Sequence, residues 1–428
     1  MAVAALTVAW QRLSCGHMSL PVSAAPAAAS TVAGSRRIVL MLAGCQALAM
    51  TSMSILATTS AIIGHMLAAN KALSTLPVAL QMTGMMSATV PAALLMARIG
   101  RRGGFWTGSA IGASGGVVAG LALWAVSFPL FCLGTFLIGS SNGFAQQYRF
   151  AAAEAADDSF RAKAISLVLA GGVISGLFGP ETAKWSRDLF PPVLFAGCFA
   201  MVVALQFGAA ALLYFTRLPP PPPRRSLRAG RPLIRIVRQP LFVVALLAGM
   251  AGYGAMSLVM TATPIAMIGC GYAFPDAALV IQWHILGMYA PSFVTGHLIA
   301  RFGLKRILLL GTALLLTCCA INLAGTGEAN FWAANLLLGV GWNFLFVGAT
   351  TLLTRTYAPE ERGKVQAFND FMIFGTSTVA AFSSGALLVG FGWTTVQLAL
   401  LPAVAVAAAA TVLARLRQDP APPQYARS

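Results

Sequence analysis

Asn142, Gln146 and Arg149 fall at i, i+4 and i+7 in a mostly apolar run, so two amides and a guanidinium share one helical face. Such a row can hydrogen-bond a polar solute, and Arg149 adds a positive charge for an anionic or carbonyl-bearing one. Trp342 and Asn343 stand together in a second run, and Gln282, Trp283 and His284 in a third, where Tyr289 shares the face of Gln282. Tyr253, Met256, Met260 and Thr263 follow one another at spacings of 3, 4 and 3, and Gln46 is the amide of the first run. These polar and aromatic residues, Gln46, Asn142, Gln146, Arg149, Tyr253, Gln282, Trp283, Tyr289, Trp342 and Asn343, are the candidates for lining a solute cavity. Phe144, Tyr148, Phe371 and Phe374 are further rings able to stack on a planar organic molecule. His284, an imidazole that titrates near neutrality, and Asp370 are the candidates for moving a proton. Each has a plainer reading. Asn142 and Asn343 can be glue between helices, the Tyr/Met stripe packing, His284 a neutral hydrogen-bonded residue, and Arg149 a charge reaching back to the interface or to Glu154 or Asp157.

What surrounds these residues decides the class. Of 428 residues 58% are hydrophobic, a further 42 are glycine, and only 9% are charged. A soluble domain is about 25% charged, so with a mean hydropathy of +0.79 this chain cannot cover a water-facing surface. An integral membrane protein remains. No G-x-x-x-x-G-K-[ST] loop and no H-E-x-x-H helix occurs, and the seven cysteines contain no C-x-x-C pair, so neither ATP binding, zinc proteolysis nor a metal site is expected. No cofactor is expected either.

A helix needs about 20 apolar residues to cross the hydrocarbon. Twelve such runs lie near 38–64, 72–97, 104–126, 128–150, 163–181, 191–216, 240–269, 277–300, 306–325, 330–354, 366–389 and 393–415. With both termini inside, 25 of the 28 basic residues fall on the inner side, leaving Lys71, Lys184 and Arg187 outside. That asymmetry follows the rule that cytoplasmic loops collect Lys and Arg, and it accounts for the net charge of +17 without nucleic acid. The division expected is a disordered tail over 1–35, a six-helix unit over 36–216, a cytoplasmic linker over 217–239, a second six-helix unit over 240–415 and a tail over 416–428. Ser35-Arg36-Arg37 before an apolar run faintly resembles a twin-arginine export signal, but eleven more runs follow it, and it reads as a basic flank. Met18 is an alternative start to Met1.

The linker opens with five prolines, Pro219–Pro223, and parts the runs six and six. The two sides repeat. Ala97-Arg98-Ile99-Gly100 and Ala300-Arg301-Phe302-Gly303 lie 203 residues apart, Asn142 and Asn343 lie 201 apart, and so do Arg161/Lys163 and Arg362/Lys364. Three places with nearly one offset point to a duplicated six-helix unit, an arrangement in which the binding site lies between the repeats.

Gly296-His297-Leu298-Ile299-Ala300-Arg301-Phe302-Gly303 and its weaker first-half partner resemble the loop signature of the major facilitator superfamily, over about residues 36–415. The resemblance implies secondary transporters: two pseudo-symmetric bundles, all-α, rocking about a central cavity without ATP. The family's signature has Asp before its Arg, whereas here Ala97 and Ala300 stand there. Some other acid must complete an ionic gate of Arg98, Arg101 and Arg301, and Asp370, at the expected start of the eleventh span, is the candidate partner of Arg98. Its other reading is a helix-start carboxylate favoured by the macrodipole. Ser175-x-x-x-Gly179-Pro180-x-x-Ala183 resembles the family's antiporter signature in part; Gly179, Pro180 and Pro264 are the expected helix-bending positions. The arginine that drug/proton antiporters carry early in the fourth span is replaced by Gly139. Met260–Met267, Gln282–Gly296 and Tyr148–Ala156 resemble the branch that contains bacterial riboflavin importers.

These residues imply a monomeric transporter of a small organic solute, of a vitamin or flavin type, in a bacterial inner membrane, with a proton as the candidate coupling ion. A proton-driven exporter of drugs or metabolites in the same fold, and a membrane enzyme or sensor that transports nothing, are the alternatives.

Overall fold

The computed structural model describes residues 32–156, 160, 164, 167, 168, 170–216, 218, 230–358 and 360–414. Residues 1–31 and 415–428, most of the linker, and Arg161 and Lys163 lie outside the described residues; residues 32–35 of the expected disordered tail are helical, because the first apolar run extends its helix back through the Arg36–Arg37 flank. Hydrocarbon offers the backbone no hydrogen-bond partner, so a spanning chain must satisfy itself, and among the described residues no strand occurs. The helices are α1 (Val32–Leu67), α2 (Leu76–Trp124), α3 (Phe128–Ala145), α4 (Tyr148–Ala155), α5 (Gly171–Ser186), α6 (Ala196–Tyr214), α7 (Leu233–Val237), α8 (Pro240–Gly269), α9 (Phe274–Tyr289), α10 (Ser292–Phe302), α11 (Leu304–Ala324), α12 (Glu328–Thr354) and α13 (Arg362–Leu413). Among the described residues eight stretches are long and apolar enough to cross a membrane, and α9 with α10, bent by 45°, makes a ninth.

Starts and breaks follow from local chemistry. Pro77, Pro129, Pro240 and Pro275 open α2, α3, α8 and α9, where a missing N–H costs nothing. Two long helices are interrupted by a glycine, Gly100 in α2 (φ 83°, ψ 162°) and Gly392 in α13 (φ 83°, ψ 175°). Gly303, between α10 and α11, adopts φ 85° and ψ 149°, almost the conformation of Gly100, its counterpart in the repeat. Only glycine enters that region readily, so the duplicated loops share a backbone as well as letters.

Of the expected bending positions, Pro180 and Pro264 lie inside continuous helices, α5 and α8. Gly179 serves close approach instead, since a side chain there would strike Ser54 of α1. The sharp bend lies at Ala290–Pro291, which sequence reasoning did not single out. Pro291 has no N–H to continue the ladder, and Asn343 Nδ2 of α12 donates to the Met288 carbonyl at 2.7 Å and to Ser292 Oγ at 2.6 Å. Thr295 Oγ1 donates to Asn343 Oδ1 at 2.6 Å.

Glycines also set how helices cross. Gly84 of α2 packs on Phe136 and Ser140 of α3, and Gly287 of α9, 203 residues on, packs on Leu336 and Val340 of α12. A side chain at Gly139 would collide with the Gln81 carbonyl. The arginine of drug/proton antiporters therefore has no room in this chain. One apolar cluster is built only from residues 236–404 and another from residues 39–213.

The described end of the linker is clasped to the loop before α13. Glu361, 2% exposed, accepts from the Arg231 N–H (2.6 Å) and Nε (2.9 Å) on Oε1, and from Arg231 Nη2 (2.7 Å) and the Ala358 N–H (3.0 Å) on Oε2. Lys364 Nζ donates to the Arg231 carbonyl at 2.6 Å. The Arg231 side chain, then the Ala358 N–H, hold the Glu361 carboxyl well below the usual carboxylate range. A depressed carboxyl stabilises the fold fully above its unfolded pKa of about 4.3 and ceases to do so as pH falls through its folded value. Glu361→Gln should therefore lower the melting temperature of the purified protein at pH 7 and remove part of the loss that the unaltered protein shows on acidification below about pH 4. Identical melting curves for both proteins from pH 7 to pH 3 would contradict the clasp.

Candidate functional site

Trp342 and Phe346 are one helical turn apart on α12, and their rings stack with centroids 4.9 Å apart and planes 14° apart. Tyr253 of α8 meets both edge-on, at 5.1 and 5.7 Å, and meets Phe374 of α13 at 5.7 Å. Tyr289, the last residue of α9, meets Trp342 at 6.0 Å. Five rings from four helices thus form one cluster. Helices α1–α6 touch it through Gly172 of α5, where an added Cβ would lie 2.6 Å from the Tyr289 ring. Trp342 is buried and its indole N–H has no partner, while Tyr253, Tyr289, Phe346 and Phe374 remain partly exposed.

Two opposite charges flank the rings. Arg149 of α4 and Asp370 of α13 lie within electrostatic reach of each other and of Tyr253. Arg149 Nε is buried without a hydrogen-bond partner, and its guanidinium carbon sits 4.9 Å from the centre of the Phe150 ring. Asn369 Nδ2 donates to Asp370 Oδ1 at 3.3 Å. Helix α13 begins at Arg362, so Asp370 is eight residues, about 12 Å, inside it. The helix-start reading of Asp370 does not survive this depth. Asp370 lies within electrostatic reach of Arg149, while Arg98, its expected gate partner, is exposed at the end that is open in this conformation.

The other candidates separate by place. Arg101 is spent within α1–α6: its Nη2 and Nε donate to the two oxygens of Glu154 at 2.6 and 3.1 Å, and its Nη1 to Gln147 at 3.2 Å. That removes Glu154 as a partner of Arg149. Asn142 donates to the Ile138 carbonyl of its own helix at 3.2 Å, whereas Asn343 is engaged at the Pro291 break. Gln282 donates to the Leu177 carbonyl of α5 at 3.0 Å, and Trp283 is an exposed ring paired with Trp332 at 5.6 Å. Phe144 packs under Gly108 and Tyr148 stacks on Phe105 at 4.2 Å, within the core of α1–α6, and Phe371 is 59% exposed. His284 is fully buried with Nδ1 2.9 Å from the Asn335 carbonyl of α12. Gln146, half-buried, follows α3 as its cap, and Gln46 is buried with Oε1 unpartnered. Arg301, like Arg98, is exposed, and among the described residues neither has an acid within 4 Å. Phe346 was missed, although its place four residues after Trp342 is a legible signal.

Helices α1–α6 and α8–α13 meet mainly at the end that carries Thr75. Thr75 Oγ1 accepts from the Gly385 N–H at 3.0 Å and donates to the Phe382 carbonyl at 3.3 Å. Ala61, Val78, Ala79, Ile265 and Ala381 form a buried cluster across the same seam. Phe195 and Phe274 meet edge-on at 5.1 Å, and the Arg187 guanidinium lies 5.6 and 5.5 Å from their centres. A cavity of about 650 Å³ beside them is lined by Ile62, Ile265, Phe331 and Trp393. It contains no acid and lies in the wall that must part if this end opens, so the five-ring cluster is the better site. Towards the other end, Arg362 of α13 lies 5.7 Å from the centre of the Phe150 ring.

The sequence profile of the Major Facilitator Superfamily matches residues 42–282 and 253–427. The chain is 42% identical over 376 residues to the riboflavin transporter RfnT of Brucella anthropi, covering 87% of this chain and 94% of that one. It is 25% identical to the uncharacterized MFS-type transporter YdeG of Bacillus subtilis, over 80% and 83% of the two chains. Among solved structures it resembles the transporter FucP in the outward conformation (TM-score 0.59, 18% identity, 88% of this chain and 97% of that one). An auto-inhibited peptide transporter of the POT family is also similar (TM-score 0.62, 14% identity, 88% and 95%).

The seam at Thr75 makes a checkable statement about which end is shut. A cysteine introduced at Ala381 should be protected from a water-soluble maleimide in the otherwise unaltered chain. Thr75→Val with Phe274→Ala, which removes two hydrogen bonds and the ring pair, should make it react about tenfold faster. Equal rates in both backgrounds would show that these contacts do not hold the end closed.

Proposed function

The chain belongs to the major facilitator superfamily of secondary transporters, and from that premise we propose that it imports riboflavin or a close flavin across a bacterial inner membrane by alternating access. The observation that carries the flavin reading is the likeness to a riboflavin transporter over nearly the whole of both chains. The geometry agrees with it: five clustered rings suit a planar heteroaromatic solute, and Arg149 and Asp370 supply donors and acceptors at the rim. The space denied to an arginine at Gly139 argues for import over drug export.

The same reading takes α2 as two crossings parted at Gly100 and α13 as two parted at Gly392. It joins α3 with α4 and α9 with α10, and counts α1, α5, α6, α8, α11 and α12 once each. That makes twelve crossings in two bundles of six. Both termini are cytoplasmic, with the Arg98 and Arg301 loops on the inner face and the Thr75 end outside, so the conformation is inward-facing. The chain acts as a monomer, and Asp370, beside the site, is a better proton carrier than His284, which is enclosed between helices.

Expressed in a riboflavin-auxotrophic bacterium that lacks its own importer, the chain should confer saturable uptake of labelled riboflavin. Trp342→Ala should raise the half-saturating concentration about tenfold, and Trp283→Ala should leave it within about twofold. Absent uptake, or accelerated loss of preloaded riboflavin, would overturn the proposal.

A further inference from the structure

We infer that the solute is recognised by its edge: Arg149 and Asp370 close from opposite sides on a neutral planar ring that presents an acceptor, an N–H donor and a second acceptor in sequence. This rests on the flavin reading above and names the part of the molecule that is read. A flavin carries such an edge, the imide N3–H between the C2 and C4 carbonyls.

A guanidinium only donates and a carboxylate only accepts, so the two groups together match an edge that mixes carbonyls with an N–H. They are not spent on each other. Among the described residues no basic nitrogen lies within 4 Å of Asp370, and Arg149 Nε is buried with nothing to donate to. Asn369 engages Oδ1 of Asp370, and Oδ2 is left for a solute N–H. An unsatisfied buried donor is costly, and a carbonyl placed at Arg149 relieves it. The ring cluster, whose Tyr253 lies within electrostatic reach of both groups, accounts for the face of the solute, and the pair accounts for its edge.

The charges balance, which excludes as well as selects. A solute with its own negative charge gains at Arg149 but faces Asp370 at short range. A solute with a blocked N–H leaves the carboxylate buried against a methyl group. Arg149 belongs to α4 and Asp370 to α13, on either side of the linker, so a bound edge ties the two sets of helices together near the Arg98 end. That gives the solute a differential affinity for the state in which this end closes.

The test is equilibrium binding to the purified protein, read from flavin fluorescence quenching, for riboflavin and 3-methylriboflavin. The 3-methyl compound should bind about tenfold or more weakly than riboflavin. In Asp370→Ala the 3-methyl penalty should shrink to within about twofold, and in Arg149→Gln both riboflavin and its 3-methyl form should lose about tenfold together. Asp370→Asn, nearly isosteric, provides a second variant with the carboxylate removed should the alanine protein fail to fold; its 3-methyl penalty should also fall. If riboflavin binds but 3-methylation costs nothing, or its cost persists in both Asp370 variants, the edge reading is wrong while the flavin reading stands. If no flavin binds the unaltered protein, both are wrong.

Discussion

Hydrocarbon cannot hydrogen-bond, and that constraint organises this molecule. Every crossing must satisfy its own backbone, so the described chain is predominantly helical and a break within a crossing calls for another partner. At Pro291 that partner is a side chain: Asn343 reaches the Met288 carbonyl and Ser292 and accepts from Thr295. At Gly100, Gly303 and Gly392 the chain turns through a glycine in a conformation other residues avoid. The bend so created ends α9 at Tyr289, which places that ring against Trp342 and over Gly172. A device for satisfying backbone thereby also places a ring of the site.

The same constraint makes each retained charge informative. Arg101 and Glu154 neutralise each other, and Arg231 and Glu361 do so at the linker. Arg149 and Asp370 lie deeper yet remain apart, next to the one five-ring cluster among the described residues. Where two opposite charges are kept near the membrane interior and separated, solvation must come from water or from a solute. The closed end uses another chemistry: a threonine against backbone, two phenylalanines and a cation over them. Such contacts are individually weak and largely non-ionic, which suits a seam that must open and close.

Much of the fold was legible because hydropathy and basic-loop asymmetry are direct consequences of the bilayer. One expected mark of the repeat is a residue the backbone demands, since Gly100 and Gly303 share nearly the same dihedrals; the matching crossings at Gly84 and Gly287 emerge only from the structure. The bend was not legible. Four prolines, Pro91, Pro180, Pro264 and Pro402, sit within helices that continue past them, and nothing local distinguishes Pro291 from these. The difference lies in Asn343, 52 residues away in sequence. Of the site, Tyr253, Tyr289, Trp342, Arg149 and Asp370 were visible as residues, but their grouping was not. Asp370 reads from the sequence as a helix-start residue because a span boundary set at 366 hides the first turn of α13, which begins at Arg362. Gln282, Trp283 and Asn343 have the polarity and size of cavity residues, and only tertiary contacts reveal that their groups are already engaged.

The central claim is that one solute site between α1–α6 and α8–α13 is exposed alternately at two ends. Spin labels at Asn70 and Gly390 report the Thr75 end, and labels at Ile99 and Phe302 report the other; all four positions are exposed. Pulsed electron resonance distances measured in nanodiscs with and without riboflavin test the claim most directly. The account predicts that the solute lengthens distances in the first pair and shortens those in the second, within one population shift. Distances that stay fixed in both pairs, or move in the same direction in both, would contradict it.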